Sequence, residues 1–179
     1  MILETVLQAL FYWCLINVGT LLPFMFFIRG YVIRTGGYAS KVKLDVVEYL
    51  VPYQLGKFNS IAWTVLFAPF LEEILFFAIP SMFGFWYTVT GLVTWASVHI
   101  GRIAYGLRFM TSTVDRIGAT ISYAMFISLH GWLSLWLWSI GFGLLSIVLH
   151  SLHNALCVLT IVFAKRFEKR KYWVKYKIF

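Results

Sequence analysis

The sequence predicts an all-α, polytopic transmembrane helical bundle of about five spans, and three observations lead to this fold class. Of the 179 residues, 61% are hydrophobic and 12% are charged, against about 45–50% apolar and about 25% charged residues in a soluble domain. Uncharged runs of 24 residues (5–28) and 48 residues (117–164) exceed the roughly 20 apolar residues that cross a bilayer. Neither run shows the alternating pattern of membrane barrel strands. We therefore expect helical spans rather than a water-soluble enzyme core.

The first two spans are each bounded by polar residues. The span at about 5–28 precedes the first Lys or Arg of the chain. No cation lies before it and no small-residue cleavage pattern follows, so we expect this span to remain in the mature protein. After a polar stretch, the second span covers about 60–79 and ends before Pro80.

The remaining three spans fill most of the second half of the chain. The third, at about 82–101, begins with the aromatic residues of 83–87, which are typical of a membrane interface. As one helix, the run 117–164 would be roughly 72 Å long, so it must hold two spans. Its glycine-containing break at 139–143 predicts spans at 117–138 and 143–164, followed by a basic tail at 165–179. Five spans use nearly all residues, which predicts a single integral membrane domain over 1–179.

The distribution of Lys and Arg predicts the orientation of the bundle. Of the fifteen, five lie in 29–57, three in 102–116 and seven in 165–179. With five spans these segments share one side, which the positive-inside rule assigns to the cytoplasm. We therefore expect a protein of the cell membrane with its N-terminus outside and its C-terminus in the cytoplasm. The net charge of +8 follows from this topology and indicates no nucleic-acid partner.

Two of the basic segments suit a membrane surface. Residues 41–51 place Leu44, Val47 and Val51 on one helical face, as an interfacial helix would, although a plain polar connector explains this segment equally well. The tail 165–179 interleaves seven cations with five aromatic residues beside a span. This composition predicts contact with anionic lipid.

Two adjacent acids interrupt the second span. Glu72 and Glu73 lie near its middle, where each carboxylate costs roughly 2.5–3.5 kcal/mol on insertion scales. A single intramembrane His or Asn commonly serves as hydrogen-bond glue between helices, and this role explains His153 best. Two buried acids exceed what packing requires, so we expect a functional site. The other polar groups within or at the edges of spans are His99, His130, His150, His153 and Asn154.

Three short motifs on separate spans resemble those of a known family. The resemblance is to the EExxxR, FxxxH and HxxxN motifs of the CAAX-protease and bacteriocin-processing (CPBP) family, intramembrane glutamic endopeptidases that include the CAAX prenyl protease. It covers about residues 60–160. The matching residues, in chain order, are Glu72-Glu73, Trp95-x-x-x-His99 and His150-x-x-x-Asn154.

The chain departs from the family pattern at two positions. Phe77 stands in place of the family's arginine, and Trp95 stands in place of its phenylalanine. The missing arginine removes a cation that would pair with the glutamates. Arg102, one turn beyond His99, supplies this charge if the third helix continues past residue 101. Otherwise we expect Glu73 to be protonated and to donate a hydrogen bond, because close like charges do not both stay ionised.

The resemblance implies an intramembrane endopeptidase without a cofactor, acting on a membrane protein or a lipidated peptide, prenylated or not. It implies that Glu72 and His99 activate water, with Glu73 as a supporting acid. It also implies that His150 and Asn154, which share a helix face at a spacing of four residues, form the oxyanion hole.

The residues themselves leave two points of the site open. Glu72, His99 and His150 also match the carboxylate and imidazole ligands of catalytic zinc. Counted from the cytoplasmic ends of the spans, His99 lies only two or three residues inside, whereas Glu72 lies about 10–14 residues inside. Either the third helix extends to about Arg108, or His130 replaces His99 as the partner of Glu72.

Two functions of other classes also remain open. A non-catalytic relative would use the same pocket to bind a peptide or lipid, or to protect against a bacteriocin, and Phe77 favours this role. A small transporter or proton relay would use the intramembrane Glu and His side chains. The spans show no inverted repeat, which a transporter of this kind commonly has.

Overall fold

The computed structural model describes residues 2–24, 27, 62–107 and 112–176, with the side chains of these residues except 102, 105, 106 and 160–176. Every regular element among them is a helix, which confirms the all-α class. Helix α1 covers Ile2–Ile16 and continues as a π-helical segment over Asn17–Leu21 and on to Phe24. The other helices are α2 (Trp63–Ser81), α3 (Phe85–Leu107), α4 (Thr113–Ser139) and α5 (Gly143–Tyr176).

Two of these helices are long and apolar enough to cross a membrane. Ile2–Phe24 has 23 residues and Trp63–Ser81 has 19, and Gly143–Leu159 is a shorter apolar helix. Length and composition thus support association with a membrane for the described part of the chain. The segment 41–51 and Arg108 lie outside the described residues, as do the side chains of the tail, whose backbone continues α5 to Tyr176.

The helix ends explain how the chain turns between spans. α4 ends at Ser139 and α5 begins at Gly143, so the break lies where the sequence predicts it. Gly141 has φ +82°, a backbone conformation that side chains with a Cβ rarely adopt. α3 continues past residue 101 to Leu107. His99 is therefore well inside a helix instead of at its end.

Helix α2 changes its winding on both sides of the two glutamates. π-Helical segments over Trp63–Phe67 and Ile74–Ala78 enclose an α-helical segment over Ala68–Glu73. Pro69 lies in the first turn of that α segment, and because it has no N–H it cannot bond a carbonyl of the preceding π-helical turn. Single-turn π segments occur frequently at functional sites because they redirect side chains. Here they set the directions of the glutamates at the end of the α segment.

The buried core joins α2, α3 and α4 around two aromatic side chains. Phe77 and Trp95 meet edge to face, with ring centroids 5.9 Å apart, and pack against Phe126, Ile127 and Leu135. A second cluster of Ala9, Leu133, Leu137 and Leu149 joins α1, α4 and α5. Its outer edge is fixed by the Trp13 indole N–H, which donates to the Leu149 carbonyl oxygen at 2.9 Å.

Gly91 allows α3 to lie directly against α2. A Cβ at this position would overlap the carbonyl oxygen of Phe76, whereas a Cβ at Gly101 on the same helix meets nothing within 4 Å. We expect Gly91→Ala to destabilise the protein by about 1–3 kcal/mol, because the helices must move apart. Gly101→Ala should instead stabilise it by up to about 1 kcal/mol through helix propensity. Denaturant titration of helicity in detergent measures both free energies of unfolding. Equal changes in the two variants would contradict the close approach of α3 to α2.

Candidate active site

The two adjacent glutamates project into different surroundings. Successive residues of a helix point about 100° apart, so neighbours do not share a face. Glu73 is completely buried among α2, α4 and α5. The side chain of Glu72 keeps 26% of its surface exposed. The pair therefore has one partly exposed and one fully buried carboxylate, each with its own partners.

Glu72 is the meeting point of two histidines from different helices. Its Oε2 accepts a hydrogen bond from the Trp95 indole N–H at 2.7 Å. The same oxygen lies 3.5 Å from His99 Nε2 and 3.6 Å from His150 Nε2. The two longer separations exceed ordinary hydrogen-bond lengths. The structure thus brings together three of the predicted residues, Glu72, His99 and His150, and Trp95 fixes the carboxylate.

The backbone of α3 fixes the tautomer of His99. Its Nδ1 lies 2.9 Å from the carbonyl oxygen of Trp95, one turn earlier, and a carbonyl can only accept. Nδ1 therefore carries the proton in the neutral ring, and Nε2 presents a lone pair toward Glu72. His99 can accept a proton at that nitrogen. Among the described histidines of α3 and α4, His99 lies within 4 Å of the Glu72 carboxylate and His130 does not.

Glu73 is held by four partners from α4 and α5. Trp138 Nε1 and Ser146 Oγ donate to its Oε2 at 2.7 and 2.9 Å. Ser134 Oγ donates to its Oε1 at 2.8 Å, and His150 Nδ1 lies 3.1 Å from the same oxygen. Oε2 is an acceptor, because an indole N–H has no acceptor atom. A protonated acid also accepts at Oε2 and can donate from Oε1 to His150 Nδ1, so the hydrogen-bond donation predicted for a protonated Glu73 stays a prediction.

His150 lies between the two acids. Its Nδ1 faces Glu73 and its Nε2 faces Glu72, so one buried imidazole contacts both carboxylates. Phe77, which stands at the family's arginine position, is buried against Trp95 in the core and contributes no charge. The Arg102 side chain lies outside the described residues, so its predicted pairing with the glutamates stays a prediction.

Asn154 bonds the backbone of α2 in this structure. Its Nδ2 donates to the carbonyl oxygen of Thr64 at 2.9 Å, in the first π-helical segment of α2. This bond joins α5 to α2 one turn from His150. The predicted pair of His150 and Asn154 therefore lies on one helix face, but the described contacts link Asn154 to backbone.

His153 has the connecting role that the sequence predicts for it. Its Nδ1 lies 2.8 Å from Asn17 Oδ1 on α1, and its Nε2 lies 3.2 Å from Cys157 Sγ. The bond between His153 and Asn17 links the first and last helices inside the core. This agrees with an interhelical hydrogen bond rather than a role at Glu72.

Sequence reasoning missed the serines and indoles that hold the two acids. Ser134 and Trp138 are four residues apart on α4, and Ser146 and His150 are four residues apart on α5. This spacing places each pair on one helix face. A search for polar residues one turn from the motif residues would have found Ser146. Ser134 and Trp138 belong to no motif, and nothing in the sequence links them to Glu73.

No family model, curated protein or solved structure matches this chain. The resemblance to CPBP proteins therefore rests on the three motifs. What the structure adds is the contact between Glu72, His99 and His150, which lie far apart in the chain.

Proposed function

We propose that this chain is a five-span intramembrane endopeptidase that hydrolyses a peptide bond of a membrane protein or lipidated peptide. The observation that carries the proposal is the Glu72 carboxylate, partly exposed within an apolar helix, with imidazole nitrogens of His99 and His150 at 3.5 and 3.6 Å. A carboxylate and an imidazole at this spacing suit the activation of a water molecule. The order of the three motifs along the chain, and the aromatic Trp95 four positions before His99, add the resemblance to CPBP proteins as a second line of support.

The outer surface of the helices supports a bundle embedded in lipid. Large apolar side chains are exposed on every helix, which a water-soluble protein of this size rarely allows. Five spans then place all Lys and Arg on the cytoplasmic side, with the N-terminus outside and the basic tail at anionic lipid. Examples, one from each helix, are Leu7, Phe70, Val98, Ile121 and Leu152.

In the proposed reaction Glu72 is the general base. A water molecule between Glu72 and His99 donates one hydrogen bond to each of them, and the Trp95 indole keeps the carboxylate in place. The water oxygen attacks the carbonyl carbon of the peptide bond while Glu72 takes its proton. Glu72 then transfers that proton to the departing amide nitrogen, and the C–N bond breaks. The products are a carboxylic acid and an amine, so no co-reactant other than water is needed.

His150 is the proposed donor to the oxyanion. While its Nδ1–H donates a hydrogen bond to Glu73, a protonated His150 directs its Nε2–H toward the region of Glu72. Preorganised donors of this kind typically contribute about 10²–10³ in rate. Asn154 uses one amide N–H on Thr64, and its second N–H is the additional donor that the CPBP resemblance implies.

The proposal is tested by cleavage assays on the purified full chain in proteoliposomes. Two internally quenched fluorescent peptides of one sequence, with and without a C-terminal prenyl group, serve as probes. We expect His99→Gln to lower kcat/KM about 100-fold, because it removes the basic Nε2. His153→Gln is the matched control, since this histidine bonds Asn17 and lies outside the Glu72 site. Equal rates for wild type and His99→Gln would overturn the water-activation role.

The same assay distinguishes the glutamate mechanism from the alternative in which a bound zinc ion performs the chemistry. If zinc on Glu72, His99 and His150 performed the chemistry, a chelator would abolish cleavage and added zinc would restore it. Our proposal predicts that chelation leaves cleavage intact. Loss of activity that zinc reverses would replace the glutamate mechanism with a metallopeptidase.

One observation favours a second candidate function, a non-catalytic binding module. The family's arginine position holds Phe77, which is buried in the core and cannot act as a cation. A binding module would retain the peptide probes in the proteoliposomes without cleaving them. Saturable binding with no product in wild type would favour this function over the peptidase.

A further inference from the structure

A second group of titratable side chains lies deeper than Glu72. Glu73 of α2, His130 of α4 and His150 of α5 are all buried, and one potential ligand atom from each lies within 4.8 Å of the other two. We infer that these three residues, which we call the inner cluster, bind a divalent transition metal ion such as Zn²⁺. This site is independent of the peptidase proposal, because binding is measured without substrate.

His130 is the residue that points to a ligand. Both of its ring nitrogens are buried, and neither has a hydrogen-bond partner in the part of the chain that the structure describes. Its neighbours are rings: Phe126 stacks on it at 5.5 Å, and His150 meets it edge to face at 4.8 Å. Leaving a buried polar group without a partner is energetically unfavourable. A metal ion would bond one of these nitrogens.

The donor set and its surroundings match zinc. Two imidazoles and one carboxylate are a ligand set that zinc uses, with bonds of about 2.0–2.2 Å that place ligand atoms roughly 3.3 Å apart. His150 Nδ1 and Glu73 Oε1 are already 3.1 Å apart. Ser134, Trp138 and Ser146 donate to Glu73 and so form the outer shell that commonly orients a ligating carboxylate.

Charge supports a dication in the same place. Glu72 and Glu73 bring two carboxylates into the bundle, and no described Lys or Arg side chain lies within salt-bridge distance of either. Burying carboxylates without a counter-charge is costly. A divalent ion between α2, α4 and α5 would balance both.

The first test is a titration of the purified, chelator-treated full chain in detergent with Co²⁺ and Zn²⁺. We expect a single site with the strong visible absorption of four-coordinate Co²⁺, displaced by Zn²⁺. His130→Phe should weaken affinity by more than about 100-fold. This variant keeps a ring against Phe126 and removes an unpartnered polar group, so folding should be retained. The matched variant His99→Phe should bind as wild type does.

Two results would overturn the inner cluster as a metal site. One is the absence of Co²⁺ and Zn²⁺ binding to wild type. The other is loss of binding in His99→Phe but not in His130→Phe, which would move the metal to Glu72, His99 and His150. X-ray absorption of the zinc-loaded wild type tests the ligands without any variant. Two imidazoles and oxygen at about 2.0–2.2 Å support the site, and a sulfur ligand excludes it.

Discussion

Glu72→Gln should lower kcat/KM for peptide hydrolysis by about 10²–10⁴-fold, the range expected when a general base is lost. Glutamine keeps an oxygen that can accept the Trp95 indole hydrogen bond but cannot take a proton from water. The fold should therefore survive while the proposed chemistry stops. Initial rates with the quenched peptides in proteoliposomes give the ratio, and gel filtration with helicity measurements reports folding.

The control for this experiment is Glu4→Gln, which removes an equivalent carboxylate from the first turn of α1. It tests whether loss of a negative charge alone alters insertion or substrate binding. We expect the rate of this variant to remain within a few-fold of wild type. Full activity in Glu72→Gln would exclude Glu72 as the base and with it the glutamic mechanism.

The sequence predicts the all-α class for clear physical reasons, and the CPBP resemblance implies that Glu72, His99 and His150 lie close together. Long uncharged runs admit helices only, and acids and imidazoles within such runs must find one another inside the protein. The break near Gly141 was also predictable, because a 48-residue run is too long for one span. Spacing of four residues correctly placed His150 and Asn154 on one face of α5.

Two features were not settled by the residue pattern. The uncharged run stops at Arg102, which placed the end of the third span at 101, and an extension to about Arg108 was one of two alternatives for bringing a histidine to Glu72. Helical hydrogen bonding continues to Leu107, because a helix needs no apolar side chains to propagate. The π-helical segments of α2 break the 3.6-residue period on which face assignments depend. The separate faces of Glu72 and Glu73 follow from their being neighbours, but the partners of each became visible only in three dimensions.

The direction of Asn154 illustrates the same limit. The motif predicts that it joins His150 at the oxyanion, yet the structure gives one of its N–H groups to the Thr64 carbonyl oxygen. In the π-helical register the Thr64 carbonyl would accept from the N–H of residue 69, but Pro69 has none, so this carbonyl accepts from the Asn154 side chain. Pro69 signals in the sequence that a carbonyl about one turn earlier lacks this donor, but α-helical spacing assigns the loss to Val65 rather than to Thr64.

Glu73→Ala should give the largest loss of stability, about 3–5 kcal/mol in the free energy of unfolding. The substitution leaves Ser134, Trp138, Ser146 and His150 without their shared acceptor inside the bundle. Buried donors without acceptors cost about 1–3 kcal/mol each, and partial relaxation of the helices keeps the total below the simple sum. Denaturant titration of helicity in one detergent measures the difference from wild type.

Glu73→Gln distinguishes the contribution of the hydrogen bonds to stability from the contribution of the side-chain volume. Glutamine fills the same space and keeps one acceptor oxygen, but its amide nitrogen adds a donor facing either Ser134 and His150 or Trp138 and Ser146. The serine hydroxyls can rotate to accept from it, whereas the Trp138 indole cannot. We expect the amide therefore to face Ser134 and His150, with a stability loss between those of wild type and Glu73→Ala. If Glu73→Ala unfolded at the same denaturant concentration as wild type, the hydrogen bonds of Glu73 would not hold α4 and α5 together. In that case Glu73→Gln, which keeps the side-chain volume, should have the same free energy of unfolding as wild type.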